Sequence, residues 1–153
     1  MSSVRVAPTP ASVGYVRAVL RDDLAVLPEM VREEVALVAS ELLGNAVRHA
    51  RALDDGQLVI DWGVGEYGVE IAVTDGGGST RPVVTEPAPT EISGRGLSIV
   101  ATLAARWGVE QHGSSTTVWA IVPLTTREVP RVFETRGARV RTLGVRTVDV
   151  RDA

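Results

Sequence analysis

No cysteine and no lysine occur among the 153 residues. The first absence excludes disulfides, thiol nucleophiles and every cysteine-ligated metal site. The second leaves arginine as all 16 basic residues; with abundant Val, Ala and Gly, this points to a GC-rich genome and says nothing about mechanism. Histidine is scarce too. His49 and His112 are too few for a histidine-rich metal cage, and Glu41 with His49 lacks the HExxH spacing. A large excess of charge of one sign is missing, and the net charge of −3 argues against general nucleic-acid binding. No apolar run approaches the roughly 20 residues a membrane span needs, and the start, MSSVRVAPTP, lacks the basic-then-apolar profile of a secretion signal. A cytoplasmic chain with no membrane partner is therefore expected. What remains is 44% apolar content, which suits one domain that buries its core without staples.

Taken in order, the chain alternates strand and helix signals, with no internal repeat. Val4 and Val6 alternate with polar neighbours before Pro8 and Pro10, which predicts a short edge strand and a stop. Ser12 is the expected N-cap of a helix carrying Val13, Val16, Leu20, Leu24 and Leu27, and Pro28 ends that helix or opens the next. A long helix is predicted over Val31 to Ala50. Asp54 to Gly56 turns into an alternating strand, Leu58 to Val64, and Gly65 to Gly68 turns again into Val69 to Val73, its antiparallel partner. Asp75 and three glycines follow, then Ser79 to Ile92 with Pro82, Pro87 and Pro89, which is a loop of the length used for lids and binding segments. Ser93, Gly94, Arg95 and Gly96 open a helix whose Leu97, Val100, Leu103 and Ala104 share a face. Trp107 and Val109 lead into a strand. After the Gly113 to Ser115 turn, Thr116 to Val122 is the strongest strand signal, closed by Pro123.

From Thr125 the hydrophobic pattern thins. The tail 125–153 holds seven of the arginines, Arg127, Arg131, Arg136, Arg139, Arg141, Arg146 and Arg151, among four acids. An arm or a weak hairpin near Val140 to Val150 is what this stretch allows, and the domain is expected to span 1–124.

Three stretches carry chemistry. On the helix from Val31, at about 100° per residue, Glu34, Glu41, Asn45 and Arg48 fall within an arc about 60° wide on an otherwise apolar surface. Taken alone, such a strip is more often the solvated edge of an amphipathic helix. Gly44 borders it, and a mid-helix glycine, about 1 kcal/mol worse than alanine, implies that something lies close to the backbone. Asp75, at a strand end, can accept a hydrogen bond from an exocyclic amine, and Gly77 leaves room for a flat ring. Gly94 and Gly96 at the mouth of a helix let backbone N–H groups approach an anion, with the helix dipole in support. An asparagine oxygen such as Asn45 Oδ1 is a hard ligand suited to Mg²⁺ shared with phosphates, and Glu41, one turn away, is placed to accept a proton.

In that order ELLGNAVRHA, VTDGGGSTRP, SGRGLSIV, RWGV and TTVWAIVP resemble the GHKL, or Bergerat-fold, ATP-binding domains (histidine kinase-like ATPases) over roughly Ala11 to Pro123. The likeness is greatest to the free-standing anti-sigma factors that are also serine kinases, in the version common in actinobacteria. The resemblance implies an α/β protein of the α+β two-layer sandwich type, a mixed, mostly antiparallel sheet covered on one face by helices. It implies ATP and Mg²⁺ as cofactors. Glu41 then matches the general base and Asn45 the Mg²⁺ ligand. Asp75 matches the aspartate that recognises the adenine amino group, with Gly77 beside it, and Thr117 the threonine that completes that contact. Gly94, Gly96 and the following Leu97 match the box that wraps the phosphates, in which Arg95 can pair with a phosphate oxygen. His49 lies off the polar strip and reads as structural.

Two departures stand out: the loop between the two glycine stretches is short, and DGGGS lacks the usual apolar residue after its last glycine. No helical hairpin with a phospho-acceptor histidine precedes the domain, so a complete histidine kinase is not expected, and no second domain follows to couple hydrolysis to large motions. The resemblance thus implies an ATP-dependent serine/threonine protein kinase. It would phosphorylate a small antagonist protein and control transcription by sequestering a partner: a sigma factor, an anti-sigma antagonist or another regulator. Self-association into a homodimer is allowed; direct nucleic-acid contact is not expected. The alternative is a non-catalytic, nucleotide-dependent binding module acting on a DNA-binding regulator.

Overall fold

The computed structural model describes residues 1–78, 95–124, 132–134 and 146–147. In chain order these form β1 (Ser2–Val6), α1 (Pro10–Asp23), α2 (Glu29–His49), β2 (Leu58–Val64), β3 (Val69–Asp75), α3 (Arg95–Leu103), β4 (Arg106–His112) and β5 (Ser115–Val122), with short β6 (Val132–Glu134) and β7 (Arg146–Thr147). The sheet order is β6-β4-β5-β3-β2-β1-β7. Every pairing among β1 to β5 is antiparallel, whereas β6 joins β4 and β7 joins β1 in parallel. The sheet is mixed and mostly antiparallel, as expected.

Strand alternation decides which face is covered. Val4 and Val6, Leu58, Ile60 and Trp62, Val69, Ile71 and Val73, and Ala120 and Val122 all point to one side and are buried there. They share a core with Val16 and Leu20 of α1, Val35, Val38, Leu42 and Leu43 of α2, and Val100 of α3. The helices therefore cover that face, which gives the two-layer α+β sandwich. Val64 continues the alternation but, at the hairpin end of β2, is exposed.

Helix ends differ from expectation in ways that chain chemistry explains. α1 starts at Pro10, with extended Thr9 as its N-cap, so Ser12 is not the cap. Pro10 brings its own helical φ to the first turn, and the Ser12 hydroxyl instead donates to the Ala7 carbonyl at 2.7 Å. The helix stops at Asp23, leaving Leu24 as the C-cap. Pro28 opens α2, which begins at Glu29 and ends at His49, two residues before and one residue short of the expected bounds. The α1–α2 pair is crossed by a bidentate contact from Arg21 to Glu33, at 2.8 and 2.6 Å. Asp23 Oδ2 seats α1 on the sheet, accepting from Trp62 Nε1 at 2.7 Å and from the Ser2 hydroxyl at 2.9 Å.

The expected loop over Ser79 to Ile92 lies outside the described residues, as does most of the tail. Within the tail, Arg146–Thr147 pairs with β1, and the rest of the stretch expected to allow a hairpin, Val140 to Val150, lies outside the described residues. No described helix is long and apolar enough to cross a membrane.

Candidate functional site

The turn after β3 is built around two glycines whose reasons differ. Gly76 lies against the segment that leaves α2: a Cβ on it would sit 2.1 Å from the Ala52 carbonyl oxygen. That approach allows a reciprocal pair of backbone bonds, Gly76 N–H to Arg51 O at 2.8 Å and Arg51 N–H to Gly77 O at 2.9 Å. Gly77 has φ +79, where L side chains are strained, and a Cβ there would meet the Ser114 carbonyl oxygen at 2.5 Å. Its glycine is thus required by the backbone itself, and the space for a flat ring is not the reason the chain reveals. Three segments converge here: the exit of α2, the exit of β3 and the β4–β5 turn.

Asp75 ends β3 at this junction, 6% exposed. Its Oδ1 accepts the Gly77 N–H at 2.6 Å. Burial pushes the carboxyl above the usual carboxylate range, and the Gly77 bond, which favours the charged form, draws it partway back. Oδ2 has no hydrogen bond among the described residues, which leaves an acceptor for an incoming donor.

Thr117 is not brought to this aspartate. The β3–β5 register sets Asp75 opposite Thr116, and Thr74 opposite Thr117. Side chains alternate along a strand, so Thr117 points to the other face of the sheet, where its hydroxyl lies 2.8 Å from that of Thr74. Thr116 takes the place expected of Thr117: it is 7% exposed, and its Oγ1 is 3.8 Å from a Cβ built on Gly77. The register, which sequence alone does not fix because Trp119 and Ile121 are as apolar as Val118, Ala120 and Val122, decides between the two threonines.

Glu41 and Asn45 sit half-buried one turn apart on α2. Asn45 Oδ1 accepts from Arg48 Nη2 at 3.0 Å. That guanidinium folds back over Gly44, where a Cβ would lie 3.3 Å from Nη1. The close neighbour implied by the mid-helix glycine is therefore Arg48, the flexible end of a side chain. His49 is the last residue of α2 and exposed, so it does not pack in the core as a structural histidine would.

Gly94 lies outside the described residues. Arg95 and Gly96 are the first residues of α3, so their backbone belongs to a helix N-terminus, and α3 packs on α2. Leu97 is half-buried against the hydrophobic core, which makes it an anchor for α3.

Mg²⁺ fits this donor set. Asn45 offers one hard oxygen already oriented toward a cation, the Arg48 guanidinium. No group of three or more His, Asp or Glu among the described residues could cage a metal. A single amide oxygen suits an ion that brings most of its ligands as phosphate and water.

Residues 6–122 match the family model of the histidine kinase-like ATPase domain. No curated protein matches the chain. The match runs from the end of β1 through β5 and takes in both α2 and the Asp75 turn, with ATP as the ligand that goes with the domain. The chain belongs to the histidine kinase-like ATPase family, of the GHKL type.

Proposed function

We propose that this ATP-binding domain is a regulatory serine/threonine protein kinase of the anti-sigma factor type, acting in the cytoplasm on a small antagonist protein. By sequestering a sigma factor or another regulator it would control transcription. The ATP-binding unit is assigned to 1–124, with 125–153 as an arginine-rich tail that adds β6 and β7 to the edges of its sheet. Asp75 Oδ2 accepts from the adenine amino group, with Thr116 beside it, and the backbone at Gly94 to Gly96 holds the phosphates. Asn45 holds Mg²⁺ once Arg48 yields its place, and the bound ion offsets phosphate charge.

The observation that carries catalysis is Glu41, a carboxylate one turn before Asn45 on the same strip of α2. It accepts the proton of the substrate hydroxyl as that oxygen bonds to the γ-phosphorus, and the bond from phosphorus to the β–γ bridging oxygen breaks with its electron pair leaving on ADP. Incubation with γ-labelled ATP and small proteins from the native cell is expected to place label on a Ser or Thr. Glu41→Gln should slow that transfer by about 10²-fold or more while ATP affinity barely changes. Equal transfer by the variant sinks the role of Glu41.

One observation favours the alternative, a nucleotide-dependent binding module acting on a DNA-binding regulator: on this strip Arg48 bonds to Asn45, and no described hydrogen bond orients Glu41 as a base. ATP-dependent capture of a partner without any transfer of label would select that reading.

A further inference from the structure

The two short strands of the tail mark opposite rims of one sheet. β6 pairs with β4 and β7 pairs with β1, so they are the first and last members of the seven-stranded order. At about 4.8 Å per strand spacing they stand roughly 29 Å apart. Residues 135–145, which lie outside the described residues, join the two. Even fully extended, such a segment reaches at most about 43 Å. That reach limits the route it can take from rim to rim.

The register marks the direct line. Glu134 stands opposite Gly108, and from there the paired residues run Trp119, Ala72, Asp61 and Ser3, which in turn is opposite Thr147. The two ends of the joining segment are thus nearly level, and the short path runs straight across the strands along this row.

The two faces of the sheet offer different paths. On the helical side, Trp107, Ala120, Ile71 and Trp62 support the helices in the core. A helix with its side chains is about 10 Å or more across, and a chain passing over it needs its own width as well. Climbing over that layer and returning lengthens the path to at least roughly 50 Å, beyond what the segment can span. The side chains of the Gly108 to Ser3 row alternate to the other face. There the floor is low, because Gly108, Ala72 and Ser3 are small. Ala72 is 7% exposed and Gly108 is buried, although the described helices all pack on the opposite face. Such burial fits a face that is covered. The segment also carries apolar side chains to set against Trp119 and Ala72, namely Ala138, Val140, Leu143 and Val145, and it contains no acid.

We propose that residues 135–145 cross the face of the sheet turned away from the helices, over the row from Gly108 to Ser3, and tie its two rims together as a strap. Val140 is midway between Glu134 and Arg146, and β3 is the middle strand of the seven, which sets Val140 above Ala72. The chain then occupies this face itself and closes it to a protein partner.

The full chain has no cysteine of its own, so introduced thiol pairs report the path. Val140→Cys is combined in turn with Asp61→Cys on the row, with Leu37→Cys on the exposed side of α2, and with Glu66→Cys at the tip of the β2–β3 hairpin. Each variant is treated with a short bis-maleimide. The Asp61 pair should link within one chain, at a rate independent of protein concentration and at least about tenfold above the other two. Faster linkage with Leu37 would send the segment over the helices, and faster linkage with Glu66 would send it round the end of the sheet. Either result overturns the proposal, as do equal rates, linkage between chains only, or no linkage. Thr117→Cys with Val140→Cys repeats the reading on β5 should the Asp61 variant fold poorly. ATP affinity within about twofold of the parent shows that each variant is folded.

Discussion

Among the described residues a single N–H serves the Asp75 carboxylate, that of Gly77, and the side chain is otherwise buried. Its raised pKa makes it a source of instability in the fold. The stabilising contribution of such an acid is fully present below the unfolded value, about 3.9, and is lost as pH rises through the folded one. Asp75→Asn keeps an oxygen for the Gly77 N–H but cannot ionise. The variant is therefore expected to melt higher than the parent at neutral pH, with the gap closing as pH falls toward 4. It should also lose ATP affinity, because the accepting pair of the adenine contact is disturbed. Calorimetric scans at several pH values, paired with ATP titrations, check both halves. Equal melting temperatures at neutral pH would remove the burial argument.

The neighbouring threonines allow a sharper test. Thr116→Val should weaken ATP by about 1–3 kcal/mol if its hydroxyl joins the adenine contact, whereas Thr117→Val should leave ATP affinity unchanged. The opposite pattern would show that the β3–β5 register is wrong by one residue. The sequence alone leaves these two threonines ambiguous for a physical reason. Trp119 and Ile121 are apolar as well as Val118, Ala120 and Val122, so β5 reads as hydrophobic on both faces and its phase is not fixed. A slip of one residue exchanges the faces of the whole strand. Asp75, by contrast, is legible, because a single acid at a strand end followed by glycines leaves no second choice.

At the scale of the element, α2 and the Asp75 turn contain two glycines that look alike in sequence and should behave oppositely. Gly44 faces the movable Arg48 guanidinium at 3.3 Å, while Gly76 faces the fixed backbone of Ala52 at 2.1 Å. Gly44→Ala is expected to be neutral or to stabilise, by up to about 1 kcal/mol from helix propensity, at the expense of the Arg48–Asn45 bond. Gly76→Ala should break the bonds with Arg51 and destabilise by more than about 2 kcal/mol, within the range of buried steric and hydrogen-bond losses. Denaturant unfolding of both variants measures this, and comparable losses in the two would contradict the geometry. The helix itself is legible because its apolar residues recur at helical spacing over five turns. Its N-terminus is less so, since Pro28 is equally able to end one helix or begin another, and the Arg51 contact with Gly76 is invisible because it links backbone atoms.

For the whole molecule, the described helices all lie on one face of the sheet, and the Asp75 turn lies at one end of that layer. A chain ending at Thr126 should still fold and bind ATP, since the family match ends at residue 122. It would also lose β6 and β7, leaving β4 and β1 as open edges. Open edges invite strand pairing between copies, so the shortened chain should associate more readily. Size-exclusion chromatography with an ATP titration reads both, and an insoluble or molten product would place the tail in the core. This part of the molecule was the least legible in sequence: three-residue and two-residue strands carry no period, and their partners lie far away along the chain.

The seating of α1 has a practical use. Trp62 is 2% exposed, and its indole N–H is held by Asp23, the last residue of α1. Any event that lifts α1 from the sheet must break that bond and wet the ring. Trp107 also lies on the helical side, whereas Trp119 sits on the opposite face, across from Ala72 and Gly108. The three indoles thus form a native set of optical reporters. Emission from Trp62 follows the docking of the first helix and emission from Trp119 follows events on the face turned away from the helices, without any added label.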